Sequence, residues 1–334
     1  MVDLSIIIPV YNVESTLLRC VDSVVSSIKE AGRSIQYEII LVEDASTDGS
    51  LRLAEMIADK QEHCHLIRHA CNRGLAVARE TGLRSSKGRY LAWVDSDDTV
   101  CGEWFDEIAD AILTYDADII AFDFEKRFSD GRIEGYDYGA KRFAMVESGC
   151  VNTGVWVEDV LRSMRTFAFS CTKVFRRHLL SDVGFDAPRG ALEDMGAMLS
   201  IADRINKVVY IPKRLYHYYI NKGSLAGTLD ANRRLLHVRY AHPKILRLNL
   251  PYRCAASVSV FQLLTANLRD HFLLDNVNEE VIGESSKYMR RMLPWVLLDA
   301  DINMKIKAVF FMGCFHWCHW MLKWMWTRKT EKAT

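Results

Sequence analysis

The chain opens on an apolar run, Leu4 to Val10, and a second runs from Tyr37 to Val42. Each has the length of a strand buried on both faces of a parallel sheet. Between them Leu17, Leu18, Val21, Val24, Val25 and Ile28 recur at helical spacing, so this stretch reads as strand, helix, strand. The alternation then continues. A helix follows Asp48-Gly49, a short strand lies near Leu66 to Arg68, a helix spans Leu75 to Arg84 and a strand spans Tyr90 to Val94. Trp104 to Tyr115 reads as a helix and Asp118 to Phe124 as a strand. This order predicts a doubly wound, mostly parallel α/β sheet with right-handed crossovers, which binds its ligands at the carboxyl ends of the strands. From Glu125 to Cys150 the periodicity fails, and Ser129-Asp130-Gly131 marks a turn, predicting a hairpin or a loop insertion. Beyond about Leu235 only helical periodicity remains.

Length adds a division to this pattern. At 334 residues the chain exceeds a comfortable single core, so we expect a large domain over 1–230 and a helical C-terminal region over 231–334. Lys plus Arg and Asp plus Glu both number 43, which leaves no overall field to attract nucleic acid. Nine cysteines without a CxxC pair, in a chain that starts MVDLSIIIPV without a signal peptide, predict reduced thiols in a cytoplasmic protein. The run His63-Cys64-His65 reads as a solvated loop, because adjacent side chains point in different directions and cannot share a metal.

Two acidic clusters fall where such a sheet binds ligands: Glu43-Asp44 after the second strand, and Asp95-Ser96-Asp97-Asp98 after the strand Tyr90 to Val94. Carboxylates packed this closely raise one another's pKa unless a cation neutralises them, so a divalent ion, Mg or Mn, resolves the repulsion. Such an ion commonly bridges one or two carboxylates to a diphosphate. Asp and Ser after a strand also serve as helix N-caps, and Asp48 and Asp98 fit that role equally well.

The segments SIIIPVYN (5–12), EIILVEDASTDGS (38–50), NRGLAVARETGLRSSKGRYLAWVDSDD (72–98) and LED (192–194) resemble the family-two inverting glycosyltransferases of GT-A fold, over roughly residues 3 to 228. The resemblance implies nucleotide-sugar binding over about 1–125 and an acceptor side over about 126–230. It places Pro9, Tyr11, Glu43, Asp44, Arg79, Asp95 and Ser96 around the nucleotide of a UDP-sugar. It makes Asp97, with Asp95, the metal ligands, and Asp194 the catalytic base. Where the family shows two aspartates followed by Gly-Ser, this chain has Glu43, Asp44 and Ala45. Lys173 and the stretch Tyr216 to Ser224 also match family positions, with Tyr219 where many relatives carry arginine; a packed strand with a flexible loop is an equal reading of that stretch.

Inverting transfer needs one base on the acceptor face, within hydrogen-bond reach of the attacking hydroxyl. A Glu-Asp pair opening a helix is by composition more often a capping device, so the catalytic role of Asp194 comes from the resemblance. An oxidoreductase would show GxGxxG where Pro9-Val10-Tyr11-Asn12 stands, and that class drops out. A non-catalytic sugar-binding or scaffold protein on a decayed transferase fold is the alternative, opposed by retention of Asp95, Asp97 and Asp194 together.

At the C-terminus, 305–326 is rich in Phe and Trp, and 308–322 carries no formal charge. On a helix, His316, His319 and Lys323 make one polar stripe, and from Lys305 to Thr334 six Lys or Arg stand against one Glu. That pattern fits a helix lying in a membrane interface, at the inner face of the cytoplasmic membrane where a lipid-linked or other glycan acceptor would be met. Packing on the catalytic domain or in a homodimer is the competing reading.

Overall fold

The computed structural model describes residues 1–137, 145–147, 149–163, 168–189, 191–220, 230–274 and 279–299, with Met304, Lys305 and Ala308. The segment 309–326, most of the predicted aromatic helix, and Lys222 and Ser224 lie outside them.

The N-terminal half follows the predicted alternation. β1 (Leu4–Val10), α1 (Leu17–Glu30), β2 (Tyr37–Glu43), α2 (Ser50–Lys60), β3 (Cys64–Arg68), α3 (Leu75–Ser85) and β4 (Tyr90–Trp93) form consecutive crossovers. β1 pairs in parallel with β2 and β4, and β2 with β3. The edge strand β3 begins at Cys64, so Cys64 and His65 belong to a strand rather than a solvated loop, with Cys64 buried. Its five residues show too little alternation to be read from sequence at that end.

After the two-residue β5 (Thr99–Val100) come α4 (Trp104–Tyr115) and β6 (Ile119–Phe128). β6 outruns its predicted end and turns at Ser129-Asp130-Gly131 into an antiparallel hairpin with β7 (Ile133–Tyr136), as the turn signal required. Two short strands, β8 (Met145–Glu147) and β9 (Cys150–Val151), and the helix α5 (Thr153–Arg162) follow. β10 (Lys173–Arg176) wedges antiparallel between β4 and β6, and the thirteen-residue β11 (Val208–Ile220) runs parallel to β6. The eleven-stranded sheet has the order β3-β2-β1-β4-β10-β6-β11-β9-β8, with β5 on β11 and β7 on β6. It is therefore mixed rather than wholly parallel.

Both faces of the sheet are covered, which is why its central strands are mostly apolar and buried at nearly every position. Ile6 and Ile8 point to one core with Val21, Val24 and Ile112 of α1 and α4. Ile7 and Trp93 point to the other, where Trp156 of α5 and Met198 of α6 (Glu193–Ile201) pack. That second core continues without a break into the C-terminal helices α7 (Ala231–Ile245), α8 (Leu250–Leu274) and α9 (Glu279–Asp299), through Val238, Phe261 and Met292. Among the described residues no helix is long and apolar enough to cross a membrane.

Candidate active site

The carboxyl ends of β1, β2 and β4 meet at one edge of the sheet, fixed by the pairings Val10 with Glu43 and Ile7 with Trp93. Pro9 is buried in β1, and Tyr11, just beyond it, is 43% exposed above that edge. The loop after β2 is held by its own acids. Glu43 accepts from the main-chain N–H of Ala45 (3.2 Å) and Ser46 (2.6 Å). Asp44 accepts from the N–H of Arg73 (2.9 Å) and Gly74 (2.7 Å), and lies 2.6 Å from Nδ1 of His69, whose Nε2 meets Thr81 (2.9 Å). Gly74 has φ +89, a conformation that suits glycine and lets the turn offer both N–H groups to one carboxylate. Ala45 has φ +57, a left-handed position that costs an alanine on the order of 1 kcal/mol.

The turn after β4 is built differently. Asp98 is buried and accepts from the Tyr216 hydroxyl (2.8 Å) and the Tyr219 N–H (2.7 Å), and Tyr216 in turn accepts from the N–H of Asp95 (3.1 Å). β11 thus grips the turn from behind. Burial, with Asp97 and Asp95 adding to it, pushes the Asp98 carboxyl well above its usual range despite the two donors. Arg19 donates to the Asp97 carbonyl (2.7 Å) while its guanidinium lies over the Tyr219 ring at 3.9 Å. With Asp98 and Ser96 buried, Asp95 and Asp97 are the partly exposed acids of the turn.

Arg79 of α3 joins this turn to α6. It is 1% exposed, so the surface ion pair that helical spacing alone allows is replaced by a buried hub. One guanidinium nitrogen meets Asp95 (2.7 Å); the other meets Glu193 (2.8 Å) and Asp194 (2.5 Å). Burial alone would lower the arginine pKa; Asp194, Asp95 and Glu193 outweigh it and hold the charge in place. Burial pushes Glu193 up to about 7, with Arg79 opposing and Asp194 adding to the rise. Asp194 accepts from Arg79 and from the Ser170 hydroxyl (2.6 Å), both at Oδ1. Its Oδ2 has no partner among the described residues.

Glu193 and Ser170 drew no role from the sequence, because their partners lie far along the chain and meet only through the fold. Lys173 is fully buried, donating to the Phe169 carbonyl (2.9 Å) and the Thr172 hydroxyl (3.2 Å), and burial pushes its amine down to about 7. It braces the short turn Ser170–Thr172 that presents Ser170. A lysine at the head of the short strand β10, followed by Val174 and Phe175, is the signal that marks it. His217 is held between Thr99 (3.1 Å) and Arg127 (3.2 Å), away from any ligand role.

Comparisons with known proteins bear on the family and the fold. GlyA of Streptococcus pneumoniae, a glycosyltransferase, is 31% identical over 235 residues, 67% of this chain and 31% of its own length. GlyG of the same species is 26% identical over 232 residues, 67% of this chain and 73% of its own length. The chain thus spans under a third of one of these relatives and most of the other. Among solved structures, residues 1–349 of Staphylococcus aureus TarS with UDP superpose at a TM-score of 0.70 and 16% identity, over 98% of this chain and 92% of that one. A Pyrobaculum calidifontis mannosyltransferase with GDP-Man and Mn2+ superposes at 0.51 and 15% identity, over 96% and 83%. At these identities the superpositions establish the GT-A fold alone. The model of glycosyl transferase family 2 matches residues 5–182, the span that holds the strand-end acids, Arg79 and Ser170, and the chain belongs to that family.

Proposed function

We propose that this protein transfers a sugar, with inversion, from a nucleotide-diphosphate donor of UDP type to a hydroxyl of a glycan or lipid-linked acceptor in cell-surface polysaccharide assembly. The observation that carries the reading is the state of Asp194: both of its donors sit on Oδ1, leaving Oδ2 to receive a proton. Relatives named for glycosyl transfer, among them a Bacillus spizizenii poly(ribitol-phosphate) β-glucosyltransferase, support it. So does TarS, whose structure holds UDP-GlcNAc.

Asp194 Oδ2 accepts the proton of the acceptor hydroxyl as its oxygen bonds to the anomeric carbon. The bond from that carbon to the diphosphate oxygen breaks on the opposite face, and the electron pair leaves with the nucleotide diphosphate. Tyr11 and Pro9 wall the nucleotide side, and Glu43 and Asp44 hold the loops that shape its floor. Ser170 and Arg79 keep the Asp194 carboxylate aimed.

The donor set fits a divalent ion that completes its shell with phosphate. Among the described residues no group of three or more His, Cys, Asp or Glu is placed to hold a metal by itself. Asp97, with Asp95, supplies the one or two carboxylates that Mg or Mn commonly takes beside phosphate and water. Such an ion, when bound, stabilises negative charge on the departing diphosphate. The basic aromatic segment 305–326 would bring the protein to the membrane surface, and deleting 310–334 should move it from the membrane to the soluble fraction.

The test is a thermal-shift panel of nucleotides and nucleotide sugars with and without Mn; a donor at a hundred times its Kd stabilises by about 2.7 kcal/mol. Absence of any Mn-dependent shift with every nucleotide diphosphate contradicts the reading. Asp194→Asn should bind the stabilising donor as the parent does and lose turnover by about 100-fold or more; turnover near the parent rate removes Asp194 as the base.

A further inference from the structure

α6, which carries Glu193 and Asp194, has no cap of its own. Its N-cap residue is Leu192, an apolar side chain that makes no capping hydrogen bond. The orphan N–H of Leu192 is instead satisfied from the C-terminal region: it donates to Nδ1 of His237, at 2.8 Å, and His237 is fully buried.

Two further contacts repeat this one along the same helices. The Tyr240 ring presses on Gly196 so closely that a Cβ there would lie 2.2 Å from its hydroxyl, and that hydroxyl donates to Asp186 (2.5 Å). The Lys244 ammonium donates to the Ser200 hydroxyl (2.8 Å) and to Asp186 (3.0 Å). Residues 192, 196 and 200 are spaced four apart, and 237, 240 and 244 three and four apart, so each set lies on one helix face. The contacts are rungs of one ladder between α6 and α7.

We infer that the C-terminal helical region is a working part of the active site: through His237, α7 fixes the start of α6 and thereby the direction of Glu193 and Asp194. His237 is a positioning residue, since it acts through Leu192 and touches neither substrate nor reacting atoms. The inference rests on the reading of Asp194 as the base. It gives the residues beyond 230 a second role, separate from any contact with a membrane.

Three variants of the full chain test it. His237→Phe keeps a ring and removes the acceptor. His237→Asn places Oδ1 where Nδ1 stood. Gly196→Ala leaves His237 intact and pushes the helices apart at the middle rung, while favouring helix locally. The readouts are amide hydrogen exchange over Leu192–Ser200, and UDP release from UDP-GlcNAc with Mn. His237→Phe and Gly196→Ala should exchange faster in that segment and lose kcat by about ten-fold with donor KM within about two-fold; His237→Asn should return both toward the parent. Exchange at the parent rate in His237→Phe overturns the inference, as does an equal loss in His237→Asn, which would assign the effect to the ring alone. Asp194→Asn, measured in parallel, keeps the two readings apart. If it is inactive while His237→Phe matches the parent, the positioning role fails and the base stands. If it turns over normally, the base reading fails, while exchange still reports whether His237 holds α6.

Discussion

At the end of β2, Glu43 and Asp44 spend their oxygens on the N–H groups of Ala45, Ser46, Arg73 and Gly74, closing two loops around themselves. At the end of β4, Asp98 is turned inward, and Asp95 and Asp97 stay partly exposed at the edge of the sheet. The clusters have the same chemistry and the same place at a strand end. What separates them is burial: Glu43 and Asp44 lie under the loops that their oxygens tie down, whereas Asp95 and Asp97 reach the surface. In the function proposed above, the first cluster builds the wall of the site and the second supplies its working groups.

The sharpest break of that comparison is Asp97→Ala. It should weaken Mn-dependent UDP binding by about 100-fold, as expected for losing one carboxylate of a one- or two-carboxylate site, and leave the ligand-free melting temperature within about 1 °C. Isothermal titration beside a thermal melt reads both quantities, and a large loss of stability with unchanged UDP affinity would reverse the roles assigned to the two turns.

Asp44→Asn should show the opposite balance. An amide NH2 cannot accept from both Arg73 and Gly74, so one donor is left facing another, at a cost of about 2 kcal/mol. Urea denaturation measures this, and a variant as stable as the parent would show that the loop does not depend on the charge.

A smaller effect separates α6 from both turns. Burial pushes the Glu193 carboxyl up to about 7, from 4.5 for the ordinary group, so the fold favours its protonated form. That contribution is full below about pH 4.5 and is lost as pH rises through about 7. Glu193→Gln, which cannot ionise, should therefore gain stability relative to the parent as pH rises from about 5 to 8. Parallel melting curves that keep a constant gap across this range would show that Glu193 is ionised throughout.

Much of this was legible in the sequence because β1, β2, β4 and α1 obey strong local periods. The acids stood out because they follow directly on apolar strands. β10 was not legible: four residues with a lysine at their head carry no period, and its place between β4 and β6 is set by the tertiary fold. Arg79 was visible as a motif residue, but of its three carboxylate partners only Asp95 is near in the chain, 16 residues on, while Glu193 and Asp194 of α6 lie 114 and 115 residues away. His237 left no mark at all, since a histidine on an amphipathic helix looks like any other until its Nδ1 is found beside a helix start.

The insertion of β10 also bears on how the molecule can be made. Until residues 173–176 have left the ribosome, β4 and β6 have no partner between them, and each presents a bare strand edge along the middle of the sheet. The N-terminal half is therefore not a separable piece. A fragment ending near residue 125 should aggregate through those edges, and extension past Arg176 is the least that lets the central sheet close.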